Sequence, residues 1–374
     1  MAKTGAMTDS PARDAGAPGA ASEDATGSFL ALTPDRVLDA VEAAGLRCTG
    51  LCYPLNSFEN RVYEVELADR SRRVAKFYRP GRWSAEQIGE EHALLLALAA
   101  EEVPVPPLLA FPDGSTLQEI DGIRYAVWER SGGRAPDEID DALAAHLGML
   151  TARMHLVARR HPLRHRPRLV AERYVRRPLR WLAEHDTIPR SLAGRYGAAA
   201  EAIAAAYEAA SAGAELQTIH ADLHLGNVLL RDGQLRLLDF DDMATGPPVQ
   251  DAWLAVPGRD ADSLRRRDAF LAGYERFASF DERTLALVEP LRGLRLVRYA
   301  GWLARRWHDP AFRAGWPHFG SEEYWRGETE GLEAQLRAIA GEAEGSPTAS
   351  AAEREGGGGE EPLTNADLFW DWEG

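Results

Sequence analysis

The apolar pattern of this chain changes once, from a strand-like alternation to a helical repeat, and that change limits the possible folds. Residues 58–67 alternate apolar and polar side chains, which predicts a half-buried strand, and residues 73–78 return beside it as a second strand. Two shorter strands are predicted at 117–120 and 125–128. From Asp137 onward the spacing of Ala and Leu is helical. This order predicts a sheet that precedes a set of packed helices.

One helix interrupts the strands, and one β-rich stretch interrupts the helices. Ser84 begins a helix that continues to about Ala100, and residues 218–240 are the β-rich exception in the second half. We therefore predict an α+β fold of two lobes, with a small N-terminal β lobe carrying one helix and a large, mostly helical C-terminal lobe. The predicted boundaries are 28–130 for the first lobe and 131–340 for the second.

Charge and composition exclude several classes of protein. The 374 residues include 43 Lys and Arg and 58 Asp and Glu, a net charge of −15, which argues against a general nucleic-acid binder. The two cysteines, Cys48 and Cys52, are too few for a disulfide framework. No stretch reaches the roughly 18 apolar residues of a membrane span, and the N-terminus has no apolar signal segment. We expect a cytoplasmic protein that binds neither nucleic acid nor membrane.

The two ends of the chain differ in composition from the part between them. Residues 1–27 contain almost no large apolar side chain, so we predict that this tail is disordered. Residues 341–374 are rich in glycine and carry nine carboxylates against one arginine, and they end in Phe369, Trp370 and Trp372. These aromatic residues either fold back onto the body of the protein or dock onto a partner protein.

The segment that begins His220-Ala221-Asp222 is the most informative part of the sequence. Asn227 follows Asp222 by five residues, and Asp239 follows Asn227 by twelve, at the end of an apolar strand. Phosphoryl transfer to an alcohol needs one carboxylate that accepts the hydroxyl proton and a second that binds Mg²⁺ beside the phosphates. An amide oxygen can complete the metal shell without another full charge. Asp222, Asp239 and Asn227 provide these three groups.

This segment resembles the catalytic and metal-binding segments of the kinase-like superfamily, in its aminoglycoside-phosphotransferase and choline-kinase branch. Three further strings resemble the bacterial stress response kinase A family, whose members are Ser/Thr protein kinases. The resemblance covers roughly residues 30–335, and Ala221 stands where members often have Gly, a change from which we expect little consequence. The strings are Leu55-Asn-Ser-Phe-Glu-Asn-Arg-Val-Tyr63, Lys76-Phe-Tyr-Arg-Pro-Gly-Arg-Trp83 and Gly246-Pro-Pro-Val-Gln-Asp251.

The resemblance implies a protein-kinase-like fold with ATP as co-substrate and Mg²⁺ as cofactor. Asp222 and Asp239 are then the catalytic residues, with Asn227 and Asp239 as the metal ligands. Lys76 is expected to reach the phosphates of ATP from the end of its strand. A glutamate on the next helix is expected to position Lys76; we choose Glu91 because it lies three residues before Leu94 on the packed face, with Glu90 as the alternative.

Ser57 is the third residue expected to bind the nucleotide. It lies in a segment that occupies the place of a glycine-rich phosphate loop but contains no glycine, so backbone N–H groups and the Ser57 hydroxyl are the expected donors. Residues 128–133 are expected to form the hinge that meets adenine. Asp251 is expected to support the catalytic loop through hydrogen bonds.

The acceptor is expected to be Ser or Thr of a protein in a bacterial stress response, which rests on the resemblance alone. A small-molecule kinase acting on an amino alcohol, a sugar or an aminoglycoside is the first alternative, and Asp241 and Asp242 could supply an acidic rim for such a cation. A non-catalytic nucleotide-binding scaffold that signals through the aromatic tail is the second. Autophosphorylation also stays open, with Ser346, Thr348 and Ser350 as candidate sites.

Two other features allow a functional and a structural interpretation. His220-x-Asp222-x-His224 could form a metal-hydrolase ligand set, although Asn227 and Asp239 would then have no assigned role. Ten arginines lie between Arg153 and Arg180. They could form a docking surface for acidic or phosphorylated partners or for nucleic acid, or they could face solvent and pair with nearby carboxylates, which is the interpretation that we favour.

Overall fold

The computed structural model describes residues 27–342, apart from 28 and 56. Residues 1–26 of the tail that the sequence predicts to be disordered lie outside the described residues. The aromatic end of the 341–374 tail also lies outside them. A five-stranded antiparallel sheet forms the smaller lobe, with the strand order β1-β2-β3-β5-β4. Its strands are β1 (Cys48–Leu55), β2 (Arg61–Leu67), β3 (Arg72–Phe77), β4 (Gln118–Ile120) and β5 (Ile123–Glu129).

Two helices pack against this sheet, one more than the sequence pattern predicted. Helix α1 (Pro34–Ala43) begins after Thr33, whose hydroxyl accepts a hydrogen bond from the Arg36 N–H. It buries an apolar face against one side of the sheet. Helix α2 (Ala85–Ala100) is the predicted one, and a capping box between Ser84 and Gln87 fixes its first turn.

The larger lobe is helical and contains two short antiparallel strand pairs, one of them a hairpin, that carry the loops of the site. Strand β6 (Gln217–Ile219) pairs with β9 (Ala244–Gly246), and β7 (Val228–Arg231) pairs with β8 (Gln234–Leu237). The predicted α+β order of a small sheet lobe and a larger helical lobe is confirmed. The helices are α3 (Asp141–Arg159), α4 (Arg177–Glu184), which a π-helical turn (Glu172–Arg176) precedes, α5 (Arg190–Ser211), α6 (Val249–Ala255), α7 (Ala261–Tyr274), α8 (Val288–Arg306), α9 (Pro310–Gly315) and α10 (Glu322–Ile339). Within residues 27–342, none of these helices combines the length and the apolar character of a membrane span.

Helices α3 and α7 approach so closely that their contact requires glycine on both sides. A Cβ atom at Gly148 would collide with the backbone carbonyl of Phe270, and a Cβ atom at Gly273 would collide with the backbone of Ala145. These atoms belong to helix backbones, which cannot move independently of the helix. Helix α3 also carries His155, which contacts Asp251 at 2.9 Å, so this contact helps to position the candidate site.

We expect Gly148→Ala to lower the free energy of unfolding by roughly 1–3 kcal/mol, because the added methyl group forces α3 away from α7. Gly194→Ala is the matched control, since Gly194 lies on the exposed face of α5 and a Cβ atom there would meet no other heavy atom within 4 Å. That change should stabilise the protein by up to ~1 kcal/mol, as Ala does in a helix. Urea denaturation of both variants measures the two effects. Equal stability of the two variants would contradict the close-contact explanation.

A buried ion network joins the two lobes around the turn between β1 and β2. Glu59 accepts hydrogen bonds from the Trp302 indole at 2.7 Å and from Arg306 of α8 at 2.5 Å, and Arg82 approaches it at 3.6 Å. Asp309, at the start of α9, forms an ion pair with Arg79 of the smaller lobe, at 2.8 Å. Burial alone would raise the pKa of Glu59, but the neighbouring guanidinium groups outweigh it and lower the pKa to about 2.

Because the pKa of Glu59 is lowered, the free energy of unfolding should fall at acidic pH, and Glu59→Gln should remove this dependence on pH. Because the folded-state pKa lies below the ordinary value of 4.5, the stabilisation is complete near neutral pH and is lost as the pH falls through about 2. The variant should lose about 3 kcal/mol at pH 7, and its difference from wild type should shrink below pH 4. Glu138→Gln, at an exposed position, is the control. A difference that is independent of pH, measured by denaturation at several pH values, would contradict this assignment.

Candidate active site

A buried aspartate holds the loop that follows β6. Asp251, at the start of α6, accepts hydrogen bonds from the backbone N–H groups of His220 at 2.9 Å and Ala221 at 2.7 Å. His155 of α3 contacts the same carboxylate at 2.9 Å, and the carboxylate is fully buried. A buried carboxylate with several donors fixes the path of the backbone that it binds. Asp251 therefore positions the loop that carries Asp222, and it lies on the interior side of that loop rather than in the cleft.

His220 connects this loop to the strand end that carries Asp239. Its Nδ1 accepts the backbone N–H of Asp222 at 3.3 Å, and its Nε2 donates to the carbonyl oxygen of Leu238 at 2.7 Å. Both ring nitrogens are therefore used within the fold, so His220 is not available as a metal ligand. The metal-hydrolase interpretation of His220-x-Asp222-x-His224 loses one of its ligands for this reason.

Ala221 adopts a left-handed backbone conformation, with φ at +67°. An L-residue with a Cβ atom is strained there, at a cost of roughly 1–2 kcal/mol. Glycine would avoid that strain, which gives a physical reason for the glycine that the resemblance leads us to expect at this position. The alanine therefore adds backbone strain, and Asp251, which accepts hydrogen bonds from the His220 and Ala221 N–H groups, helps to hold this conformation.

Asp222 faces the cleft as an ionised carboxylate. Burial would raise its pKa, but Arg295 of α8, at 2.7 Å from Oδ1, and His224 together hold the pKa well below its ordinary value. The Asn227 side-chain N–H₂ donates to the backbone carbonyl of Asp222 at 2.8 Å and lies 3.4 Å from its Oδ2. The amide oxygen of Asn227 is directed away from those bonds because its nitrogen makes them. The structure thus joins Asp222 and Asn227 in one loop.

Lys76 lies at the centre of a cluster of carboxylates drawn from both lobes. Its Nζ is 2.9 Å from Asp239, 3.4 Å from Asp241 and 3.5 Å from Glu91 of α2. The residue is 7% exposed. Burial alone would lower its pKa, but the three carboxylates raise the pKa well above its ordinary value. The ammonium group is therefore held charged at the point where both lobes meet.

The two neighbouring glutamates of α2 make different contacts. Glu91 is buried and contacts Lys76 through one oxygen and Arg166 through the other, at 2.8 Å. Glu90 instead accepts hydrogen bonds from the backbone N–H groups of residues 164–166. The arginine at 166 also stacks over the Trp83 ring at 4.4 Å. These contacts hold residues 164–166 against α2. Of the two glutamates, Glu91 is the one that contacts Lys76.

Asp239 and Asn227 have the donor chemistry of a magnesium site. Asp239 has a left-handed backbone, with φ at +49°, and a side chain that is 52% exposed, although one oxygen contacts Lys76. Among the described residues, no group of three or more His, Cys, Asp or Glu side chains could hold a metal by itself. Mg²⁺ takes oxygen ligands, commonly one or two from protein and the rest from phosphate and water. The carboxylate of Asp239 and the amide oxygen of Asn227 fit that pattern.

The turn that contains Ser57 lies over this cluster. Asn60 of the same turn donates to Asp241 Oδ2 at 3.1 Å, and the Arg79 side chain donates to the carbonyl oxygens of Phe58 and Glu59. Ser57 is half-buried between β1 and β2, and the strand predicted from residue 58 begins only at Arg61. These side-chain bonds hold the turn, which contains no glycine, close to the lobe opposite.

Asp241 and Asp242 do not form the acidic rim that the sequence allowed. Asp241 is buried, and Arg82 pairs with it at 2.6 Å. Asp242 pairs with Arg82 at 3.0 Å and with Arg298 at 2.6 Å. The arginine partners had no recognisable sequence signal, since they lie between 56 and 160 positions away in the chain. The cleft beside Asp222 is therefore lined by arginines as well as by carboxylates.

Comparison with known proteins identifies the family of this chain. Residues 53–288 match the model of the phosphotransferase enzyme family. Stress response kinase A of Escherichia coli strain K12 is 39% identical over 305 residues, which cover 81% of this chain and 92% of that protein. The serine/threonine protein kinase RdoA of Salmonella typhimurium is 38% identical over the same shares of the two chains.

A solved structure shares the fold. The amicoumacin kinase hAmiN, determined with AMP-PNP, Ca²⁺ and Ami, has a TM-score of 0.60 and 21% identity over 72% of this chain and 86% of its own. The matched family model includes the strands around Lys76, the Asp222 loop and Asp239. The chain therefore belongs to the phosphotransferase enzyme family and, within it, to the stress response kinase A family of kinases.

Proposed function

We propose that this kinase transfers the γ-phosphate of ATP, with Mg²⁺, to the hydroxyl of Ser or Thr in a protein. The observation that carries the proposal is that the Asp222–Asn227 loop is hydrogen-bonded to Leu238, next to Asp239, whose carboxylate contacts Lys76. The cationic Lys76 and the oxygen ligands Asp239 and Asn227 suit a triphosphate with its metal, and the ionised carboxylate of Asp222 suits an alcohol. ATP as the co-substrate is compatible with a cytoplasmic location.

Each residue has a role that follows from its surroundings. Lys76 binds phosphate oxygens as a fixed positive charge, and Glu91 keeps it pointing into the cleft. Asp239 and Asn227 would hold Mg²⁺, which when bound neutralises charge on the phosphates. Backbone N–H groups near Ser57, and its hydroxyl, would cover the phosphates. These groups position the γ-phosphate and do not take part in covalent bonds.

Asp222 orients the acceptor hydroxyl and receives its proton as the new P–O bond forms and the bond from the γ-phosphorus to the β–γ bridging oxygen breaks, with ADP as the leaving group. Its low pKa keeps it ionised, so it accepts a hydrogen bond from the hydroxyl in the ground state. Arg295 contacts the other oxygen of the same carboxylate and so fixes its orientation. Phosphoryl transfer with a loose transition state needs only a weak base, which a carboxylate of low pKa provides.

The protein acceptor is supported by the name of the Salmonella relative, a serine/threonine protein kinase. A small-molecule acceptor is the second candidate, because the amicoumacin kinase that shares this fold acts on a small molecule according to its name. The first candidate is preferred because the Salmonella relative is 38% identical to this chain, whereas the amicoumacin kinase is 21% identical.

We expect Asp222→Asn to lower kcat by roughly 10²- to 10⁴-fold while nucleotide affinity stays within about twofold, because the change removes only the proton acceptor. The assay incubates wild type and variant with γ-labelled ATP, Mg²⁺ and a generic protein acceptor such as casein. Acid-stable label on Ser or Thr supports the proposed acceptor. Asp232→Asn, in the exposed β7–β8 turn, is the matched control and should keep full activity.

Different failures of this experiment have different meanings. Nucleotide binding with no label on any protein would overturn the protein acceptor and favour the small-molecule candidate. Equal label with wild type and Asp222→Asn would overturn the role of Asp222. Label that arises without added acceptor and remains on the chain would identify autophosphorylation, which a proteolytic digest of the labelled chain can assign to individual residues.

A further inference from the structure

One face of α8 carries a row of arginines that begins at the proposed catalytic residue. Arg295, Arg298 and Arg305 follow one another at helical spacing, so they project from the same side of the helix. Arg295 contacts Asp222, and Arg298 contacts Asp242. Arg305 lies ten residues beyond Arg295, which corresponds to about 15 Å along the helix. The row therefore leads from the cleft to the outer surface of the lobe.

A second wall of arginines and aromatic rings lies opposite the outer end of this row. The π-helical turn and α4 pack against α8 and carry Arg173 and Arg177. Arg305 donates to the carbonyl oxygen of Arg177 at 3.5 Å and lies over the ring of Trp181 at 5.7 Å. We call Arg173, Arg177, Arg305 and Trp181 the outer arginine cluster.

The positive charges of the outer arginine cluster are close enough to repel one another. Burial of Arg305 and the guanidinium groups of Arg306, Arg173 and Arg177 all lower its pKa. Glu172 approaches Arg177 at 3.9 Å, but within residues 27–342 no carboxylate forms an ion pair with Arg305. Neighbouring like charges are unfavourable unless an anion joins them. Arg305, which has no carboxylate partner among the described residues and lies over the Trp181 ring, therefore suits a peptide with both carboxylates and aromatic side chains.

The end of this chain has that composition. The segment 360–373 contains Glu360, Glu361, Asp367, Asp371 and Glu373, together with Phe369, Trp370 and Trp372, and it contains no basic residue. Guanidinium groups bind carboxylates through charge-assisted hydrogen bonds and bind aromatic faces through cation–π contacts. The segment thus complements both kinds of side chain in the outer arginine cluster.

The chain between the end of α10 and this segment is long enough to reach the outer arginine cluster. The last turn of α10 contacts the start of α8, where Gln335 donates to the carbonyl oxygen of Glu289 at 2.8 Å. Arg305 lies 16 residues beyond Glu289, about 24 Å along α8. Asp367 lies 25 residues beyond Glu342, and a Gly-rich tether of that length has an end-to-end distance of roughly 25–30 Å. A tether whose length matches the span gives a local concentration in the millimolar range.

We propose that the acidic aromatic segment 360–373 binds the outer arginine cluster of its own chain, beside the acceptor cleft. The bound segment lies where an acceptor protein approaches Asp222 and competes with it, so that acidic acceptors must displace it. This consequence rests on the proposed function, whereas the binding itself does not. It assigns the tail to the body of the protein rather than to a separate partner.

Binding can be measured on the full-length protein without nucleotide. The probe is a fluorescein-labelled peptide of residues 360–374, followed by fluorescence anisotropy. A tail variant with Asp367→Asn, Asp371→Asn and Glu373→Gln should bind the probe at least tenfold more tightly than wild type, because its own segment competes less. Adding Arg173→Glu and Arg305→Glu to the tail variant should weaken probe binding at least tenfold, and added salt should weaken it too.

Two controls keep the result interpretable. Arg276→Glu with Arg326→Glu reverses two exposed charges elsewhere on the helical lobe and should leave probe binding unchanged. A second probe peptide carries Asp367→Lys, Asp371→Lys and Glu373→Lys. It should bind the variant with Arg173→Glu and Arg305→Glu, which shows that this surface is still folded. The activity assay on the tail variant should show a lower KM for casein and an unchanged kcat.

Equal probe affinity of wild type and the tail variant would overturn the proposal, even if the arginine changes weaken the probe. In that outcome the cluster binds acidic peptides of other proteins instead. Probe binding that the arginine changes leave unaltered would overturn the assigned surface. Because none of these binding measurements needs phosphoryl transfer, a failure of the proposed kinase reaction would be seen separately.

Discussion

The buried ammonium group of Lys76 is the interaction on which the rest of this site depends. A charge at 7% exposure is stable only with counter-ions, and here β3 supplies the lysine while α2 and the segment after β8 supply the carboxylates. Arg166 and Arg82 then balance the excess negative charge of Glu91 and Asp241. Removing any one partner would leave an uncompensated charge, so the whole cluster fixes the relation between the lobes.

The turn between β1 and β2, which lies over the Lys76 cluster, contains no glycine and is held in place by side-chain contacts. Glycine-rich loops can approach phosphates closely because they have no side chains. In this protein, Asn60 and Arg79 hold the turn from the two sides, and Asp309 and Glu59 connect it to the helical lobe. The turn is thereby coupled to the position of α8, which also carries Arg295 beside Asp222. One helix thus contacts both this turn and the loop that carries Asp222.

Much of the site could be anticipated because its residues are close in sequence or share a helix face. Asp222 and Asn227 are five residues apart and fall in one loop. The choice of Glu91 followed from its spacing to Leu94, and the structure places Glu91, but not Glu90, on the buried face of this helix with Leu95 and Leu98. The arginine partners could not be anticipated, because any of the many arginines could pair with a given carboxylate over 70 or more positions, as Arg295 does with Asp222. Strand β1 also escaped prediction, since a bulge near Gly50 interrupts its alternation.

Calorimetry of a non-hydrolysable ATP analogue tests most directly whether Asp239, beside Lys76, is the metal ligand of a nucleotide site. The titration is performed with and without Mg²⁺ on wild type and on Asp239→Asn. We expect Mg²⁺ to tighten binding at least tenfold in wild type and to have little effect in the variant, because the metal would lose its carboxylate ligand. The assignment would be contradicted if Mg²⁺ leaves the nucleotide affinity of wild type unchanged. It would also be contradicted if Mg²⁺ changes the affinity of both proteins equally.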